Sequence, residues 1–125
     1  MSEEKKYDLK EAPSVDVANA AKEILDDKLG HDISVLSVRA KTVVADYFVI
    51  CTANSSTHVK SMADEVEYVI SGSGMPLLHR DGVAGGEWTV LDFGTVIVHI
   101  FTKTAREYYK LEKLWESALE EEGLI

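Results

Sequence analysis

Asp46 and Asp92 are the acids whose placement invites a catalytic reading. Asp46 stands immediately before the apolar run Tyr47-Phe48-Val49-Ile50-Cys51-Thr52, and Asp92 lies inside Trp88-Thr89-Val90-Leu91-Asp92-Phe93. If both reach one end of a sheet, they form a carboxylate pair of the kind that holds a divalent metal for nucleotidyl or phosphoryl transfer. That chemistry also needs two metal-holding acids close together and a cradle for phosphates. The sequence has neither a spaced acidic pair on one strand nor a Gly-Ser loop opening a helix. Without those companions, Asp46 reads as a residue at the start of a strand and Asp92 as an acceptor for nearby backbone N–H groups.

The histidines, His31, His58, His79 and His99, include no pair at the i, i+4 spacing that clamps zinc on a helix. A metal site would have to be assembled in space, from His58, His99 and Cys51 for example, with support behind each ligand. His99, within Val96-Ile97-Val98-His99-Ile100-Phe101, reads instead as a hydrogen-bonded core or face residue. Cys51 is the single cysteine, so it has no partner for an internal disulfide, and in an apolar run it reads as a small buried thiol. Asp92-Phe93-Gly94 copies the kinase metal-binding triplet without the Gly-rich loop, strand lysine and catalytic-loop aspartate that make it work. Gly72-Ser73-Gly74 lacks the further glycine and helix of a phosphate cradle and reads as a linker.

Periodicity supplies the elements that carry these residues. After Pro13, Val17, Ala21, Ile24 and Leu25 recur at helical spacing from Ser14, and Gly30 supplies a stop. Ile33-Ser34-Val35-Leu36-Ser37-Val38 follows as a partly alternating strand. Asp46 to Thr52 has the continuous apolar character of a strand covered on both faces. Asn54-Ser55-Ser56 can cap a second helix, whose buried stripe is Val59, Met62, Ala63, Val66, Val69 and Ile70. Pro76-Leu77-Leu78-His79-Arg80 reads as a short edge strand closed by Asp81-Gly82. Beyond Gly85-Gly86, Trp88 to Phe101 reads as a hairpin turning at Phe93-Gly94-Thr95. Thr104-Ala105-Arg106-Glu107 then has a capping-box pattern opening a third helix, with Leu111, Leu114, Trp115 and Ala118 as its stripe. The sum is an α/β single domain with a mixed five-stranded sheet, helices one and two on one face. Residues 1–12 read as a flexible arm, 13–118 as the domain and 119–125 as an acidic tail.

The chain has 125 residues, enough for one core, with 46% hydrophobic and 28% charged residues, as in ordinary globular domains. No apolar run approaches the roughly 18 residues needed to span a bilayer, and the N-terminus lacks the apolar core of a secretory signal, so no membrane association and a cytoplasmic location are expected. Acidic residues outnumber basic ones 22 to 13, for a net charge of −9. A surface of that sign repels phosphate backbones, which argues against primary nucleic-acid binding and favours a basic protein partner.

A set of local sequences resembles the ribosomal silencing factor family, also known as the RsfS or Iojap family: Ala45-Asp46-Tyr47-Phe48-Val49-Ile50-Cys51-Thr52, Ser55-Ser56-Thr57-His58-Val59, Met62-Ala63-Asp64, Gly86-Glu87-Trp88, Leu91-Asp92-Phe93-Gly94-Thr95-Val96-Ile97-Val98-His99-Ile100-Phe101, and Arg106-Glu107-Tyr108-Tyr109-Lys110-Leu111-Glu112-Lys113-Leu114-Trp115. The resemblance covers residues 14 to 116. Ala53, where members often have Gly, and Thr57, where a longer polar residue is common, depart from it. It implies a nucleotidyltransferase-like topology without the catalytic acids, no enzymatic activity and no cofactor. It further implies binding to the large ribosomal subunit through ribosomal protein L-fourteen, which blocks subunit joining and represses translation. It implies as well a kinship with organellar relatives that act in ribosome assembly, which makes a large-subunit assembly factor the alternative, and with members that form homodimers. On the hairpin, alternation puts Trp88, Val90 and Asp92 on one face and Thr89, Leu91 and Phe93 on the other. Trp88 is the expected docking anchor, with Glu87 and Asp92 meeting Lys or Arg of the partner. Leu91 joins the partner-binding set through the resemblance alone.

Overall fold

The computed structural model describes residues 7–40 and 42–111. Helix α1 spans Ser14–Asp27 behind Pro13, whose φ of −58° suits a helix start, and buries Val17, Ala18, Ala20, Ala21, Ile24 and Leu25. The left-handed residue that ends it is Leu29 (φ 67°) rather than Gly30. Gly30 meets a different demand: a Cβ there would lie 2.4 Å from Cys51 Sγ, so the absence of a side chain lets the end of α1 settle on the sheet.

Strands β1 (His31–Ser37) and β2 (Tyr47–Ala53) follow, then helix α2 (Ser56–Gly72). Ser55 caps α2, its Oγ accepting from His58 N–H at 3.1 Å. The buried side chains of α2 are Val59, Met62, Ala63, Val66, Val69 and Ile70, as the spacing predicts. Strand β3 is His79–Val83, β4 Trp88–Asp92 and β5 Val96–Thr102, and helix α3 is Lys103–Tyr109.

The sheet order is β1-β2-β5-β4-β3, with β2 and β5 parallel and every other neighbouring pair antiparallel. The α/β domain with a mixed five-stranded sheet is therefore present, and β5 lies at its centre. The β4–β5 hairpin turns at Phe93-Gly94-Thr95, where Gly94 takes a φ of 92°. Sheet residues divide by alternation. Val49, Cys51, Ala53, Leu91, Val98 and Ile100 pack under α1 and α2. Phe48, Ile50, Ile97 and Phe101 form a second cluster on the other face with Val38, Ala45 and Ala105, flanked by half-buried Leu36, Trp88, Val90 and Leu111.

Three expectations are corrected. Strand β3 begins at His79, not Pro76, and Asp81 and Gly82 are paired with Val90 and Thr89 instead of closing it. The turn falls on Ala84–Gly86, where Gly85 and Gly86 adopt φ of 65° and 91° and free Asp81-Gly82 for the ladder. The cap of α3 is Thr102, whose Oγ1 accepts from Ala105 N–H at 3.3 Å, two residues before the expected Thr104. Residues 7–12 are packed rather than frayed. Leu9 is 3% exposed, its N–H donates to Ser73 O at 2.7 Å, and Tyr7 Oη donates to Glu23 Oε1 at 2.8 Å. Lys110 (φ 52°) ends α3, and the stripe residues Leu114, Trp115 and Ala118, like the acidic tail, lie outside the described residues.

Candidate functional site

Cross-strand register on the face opposite α1 and α2 builds an aromatic ladder. Trp88 pairs with Phe101, Val90 with His99 and Asp92 with Ile97. The Trp88 ring stacks on Phe101 at 4.7 Å between centroids and lies 4.8 Å from Tyr109 and 5.9 Å from His99. His99 in turn meets Phe48 edge-on at 4.9 Å, and Tyr109 meets Tyr108 edge-on at 5.0 Å. Exposure rises along this series, from buried Phe48, His99 and Phe101 through half-buried Trp88 to Tyr109 at 40% and Tyr108 at 77%. Arg106 holds the tyrosine end in place. Its Nη1 donates to Thr52 Oγ1 at 2.8 Å and Asp32 O at 2.5 Å, and its Nη2 to Ser34 Oγ at 3.3 Å, tying α3 to β1 and β2.

Polar groups fix the hairpin at both ends. Trp88 Nε1 donates to His99 Nδ1 at 3.2 Å. Because an indole nitrogen only donates, the neutral imidazole carries its proton on Nε2. Burial alone pushes the His99 pKa down to about 4, so the ring is uncharged at neutral pH. Glu87 accepts from Thr102 twice, at its carbonyl from the backbone N–H and at Oε1 from the hydroxyl, both at 2.9 Å. Asp92 Oδ1 accepts from Gly94 N–H at 2.7 Å and closes the β4–β5 turn.

Of the four residues expected to meet a partner, Trp88, Glu87 and Asp92 are half-buried, each with part of its surface free. Leu91 is wholly buried on the helix-covered face, where α2 packs on β4, and supports the strand from behind, with no surface to offer. Tyr108 and Tyr109 were missed. The signal was their adjacency: neighbouring helical residues point about 100° apart, so two successive tyrosines cannot both face one narrow stripe.

The ingredients of catalysis are placed apart. Asp46 and Asp92 sit at the same end of the sheet, but β5 runs between their strands, which separates their backbones by about 10 Å. Asp46 pairs with Arg39 at 3.7 Å. His58 joins α1 to α2, with Nδ1 accepting from Asn54 N–H at 2.9 Å and Nε2 donating to Lys28 O at 2.8 Å. Cys51 lies under the helices, 3.9 Å from Met62 Sδ, and burial pushes its thiol up to about 11. His99 is on the opposite face, so His58, His99 and Cys51 do not converge. Among the described residues no group of three or more His, Cys, Asp or Glu is placed to hold a metal ion.

Known proteins are similar to this chain in sequence and in fold. The family model for "Ribosomal silencing factor during starvation" matches residues 10–124, extending past both ends of the 14–116 span. The chain is 37% identical to ribosomal silencing factor RsfS of Halalkalibacterium halodurans, over 81% of this chain and 88% of that one. It is 31% identical to a mouse protein named mitochondrial assembly of ribosomal large subunit protein 1, over 74% of this chain and 42% of that one. A crystal structure of a protein from Chromobacterium violaceum superposes with a TM-score of 0.80 at 30% identity, covering 83% of this chain and 87% of the other. With most of its length matched in sequence and in fold, the chain belongs to the ribosomal silencing factor family.

Proposed function

We propose that this protein acts without catalysis, in the cytoplasm, by docking on the large ribosomal subunit through ribosomal protein L-fourteen and so blocking small-subunit joining and repressing translation. The observation that carries this is the half-buried Trp88 at the head of an aromatic ladder ending in exposed Tyr109 and Tyr108. Aromatic side chains held rigid by their neighbours lose little entropy on contact and act as anchors at interface centres. Glu87 and Asp92 flank the ladder's strand, and the net charge of −9 favours encounter with a basic ribosomal protein. Leu91 serves this surface from beneath. Residues 13–118 form the working domain of this proposal, and self-association through a homodimer is compatible with it.

Trp88→Ala leaves the fold intact and weakens binding at least tenfold, about 1.4 kcal/mol. Co-sedimentation with purified large subunits measures this, and undiminished binding contradicts the hairpin as docking surface. The name of the mouse relative favours a second role, assembly of the large subunit, using the same surface. Association with precursor rather than mature subunits in gradient fractions separates assembly from silencing. A metal-dependent nucleotidyl or phosphoryl transferase, the remaining alternative, requires nucleotide and metal binding that Asp92→Asn abolishes, measurable by calorimetry.

A further inference from the structure

His99 occupies a position in β5 where an apolar residue would pack with less difficulty. Its neighbours along the strand are Val98 and Ile100, its ring contacts are Phe48, Trp88 and Phe101, and it is 7% exposed. The hydrogen bond from Trp88 places the imidazole proton on Nε2. That nitrogen is buried and has no hydrogen-bond partner among the described residues. A buried donor left unpaired destabilises a fold, and burial resists charging of the ring as well. Packing therefore does not account for a histidine here, whereas the acceptor at Nδ1 does.

Trp88 needs that acceptor. Phe101 and Tyr109 contact the indole at 4.7 and 4.8 Å, but ring contacts alone leave an aromatic side chain free to adjust within its plane. The bond from Nε1 removes that freedom and directs one edge of the indole at His99, in a side chain that stays partly exposed. The contact is diagonal across the hairpin, since the residue directly opposite His99 is Val90.

We propose that His99 is a positioning residue, whose Nδ1 holds the Trp88 indole in the pose that docks on the large ribosomal subunit. This rests on the docking reading of Trp88 given above. A residue kept for orientation separates binding from stability when it is replaced. His99→Phe retains an aromatic packing unit, removes the unpaired donor and deletes the acceptor. His99→Asn places an amide oxygen near the position of Nδ1.

The test uses the full chain, with thermal unfolding, co-sedimentation with purified large subunits and the indole N–H signal of Trp88 in two-dimensional NMR, assigned by comparison with Trp88→Phe. His99→Phe is expected to be at least as stable as the wild type, to bind five- to tenfold more weakly and to show faster solvent exchange of the Trp88 indole proton. His99→Asn is expected to recover binding to within about twofold. Wild-type binding by His99→Phe alongside weak binding by Trp88→Ala overturns the positioning role and leaves the docking surface standing. Wild-type binding by both variants overturns the docking surface and the inference together. If His99→Phe fails to fold, folded His99→Asn decides: binding as weak as that of Trp88→Ala overturns the proposal, and near-wild-type binding supports it.

Discussion

His99 shows how much one side chain in a strand can determine. Its pKa is held down at about 4 against an ordinary 6.5 by burial, with no charged neighbour among the causes and Tyr109, across Trp88, the nearest titratable ring in the ladder. Between those two values the unfolded chain binds a proton that the folded chain excludes. The stabilisation is therefore fully present above pH 6.5, declines as the pH falls toward 4, and is lost once the pH passes below 4. At 1.36 kcal/mol per unit the loss amounts to about 3 kcal/mol. Denaturant unfolding from pH 7 to 4 is expected to show it as a difference between wild type and His99→Phe that grows on acidification, the common carboxylate contribution cancelling. Trp88 was visible in the sequence because a tryptophan beside two glycines is unusual in a core strand. Its acceptor was not, because a diagonal partner depends on strand register, which alternation alone does not supply. Leu91 shows the reverse: alternation already placed it on the face away from Trp88, and the structure buries it there under the helices.

At the scale of elements, the fit of α1 against β2 depends on Gly30. A methyl group there meets Cys51 Sγ at 2.4 Å, Leu25 O at 3.0 Å and Met62 Sδ at 3.2 Å. Gly30→Ala is expected to destabilise the fold by about 1–3 kcal/mol through overpacking. Adding Cys51→Ala removes the closest atom, so the double variant is expected to be more stable than the sum of the single effects, which denaturant unfolding of all three variants measures. Helix α2 was legible down to its six buried residues because its stripe, its cap and its Gly-rich end agree. Strand β3 was not. Pro76-Leu77-Leu78 has an apolar pattern, but the ladder with β4 sets the register, pairing His79 with Asp92, and the two glycines after Ala84 make the turn. The Thr102 cap of α3 was missed for a related reason, since Thr104 and Glu107 also satisfy a capping pattern and only the end of β5 decides between them.

The described residues form a five-stranded sheet with two helices on one face and an aromatic ladder on the other, the latter reaching the surface at Tyr109 and Tyr108. No described helix is long and apolar enough to cross a membrane. A chain of 125 residues with a net charge of −9 suits the proposed obstruction by occupancy, in which steric blocking needs affinity and placement rather than turnover. Sucrose-gradient sedimentation of purified large and small subunits, with and without the protein, reads out whether occupancy of the large subunit prevents joining, as proposed. Wild-type protein is predicted to shift joined ribosomes to free subunits, and Trp88→Ala to require at least tenfold more protein for the same shift. Joined ribosomes that persist under saturating wild-type protein, or an equal shift by both proteins, would contradict it.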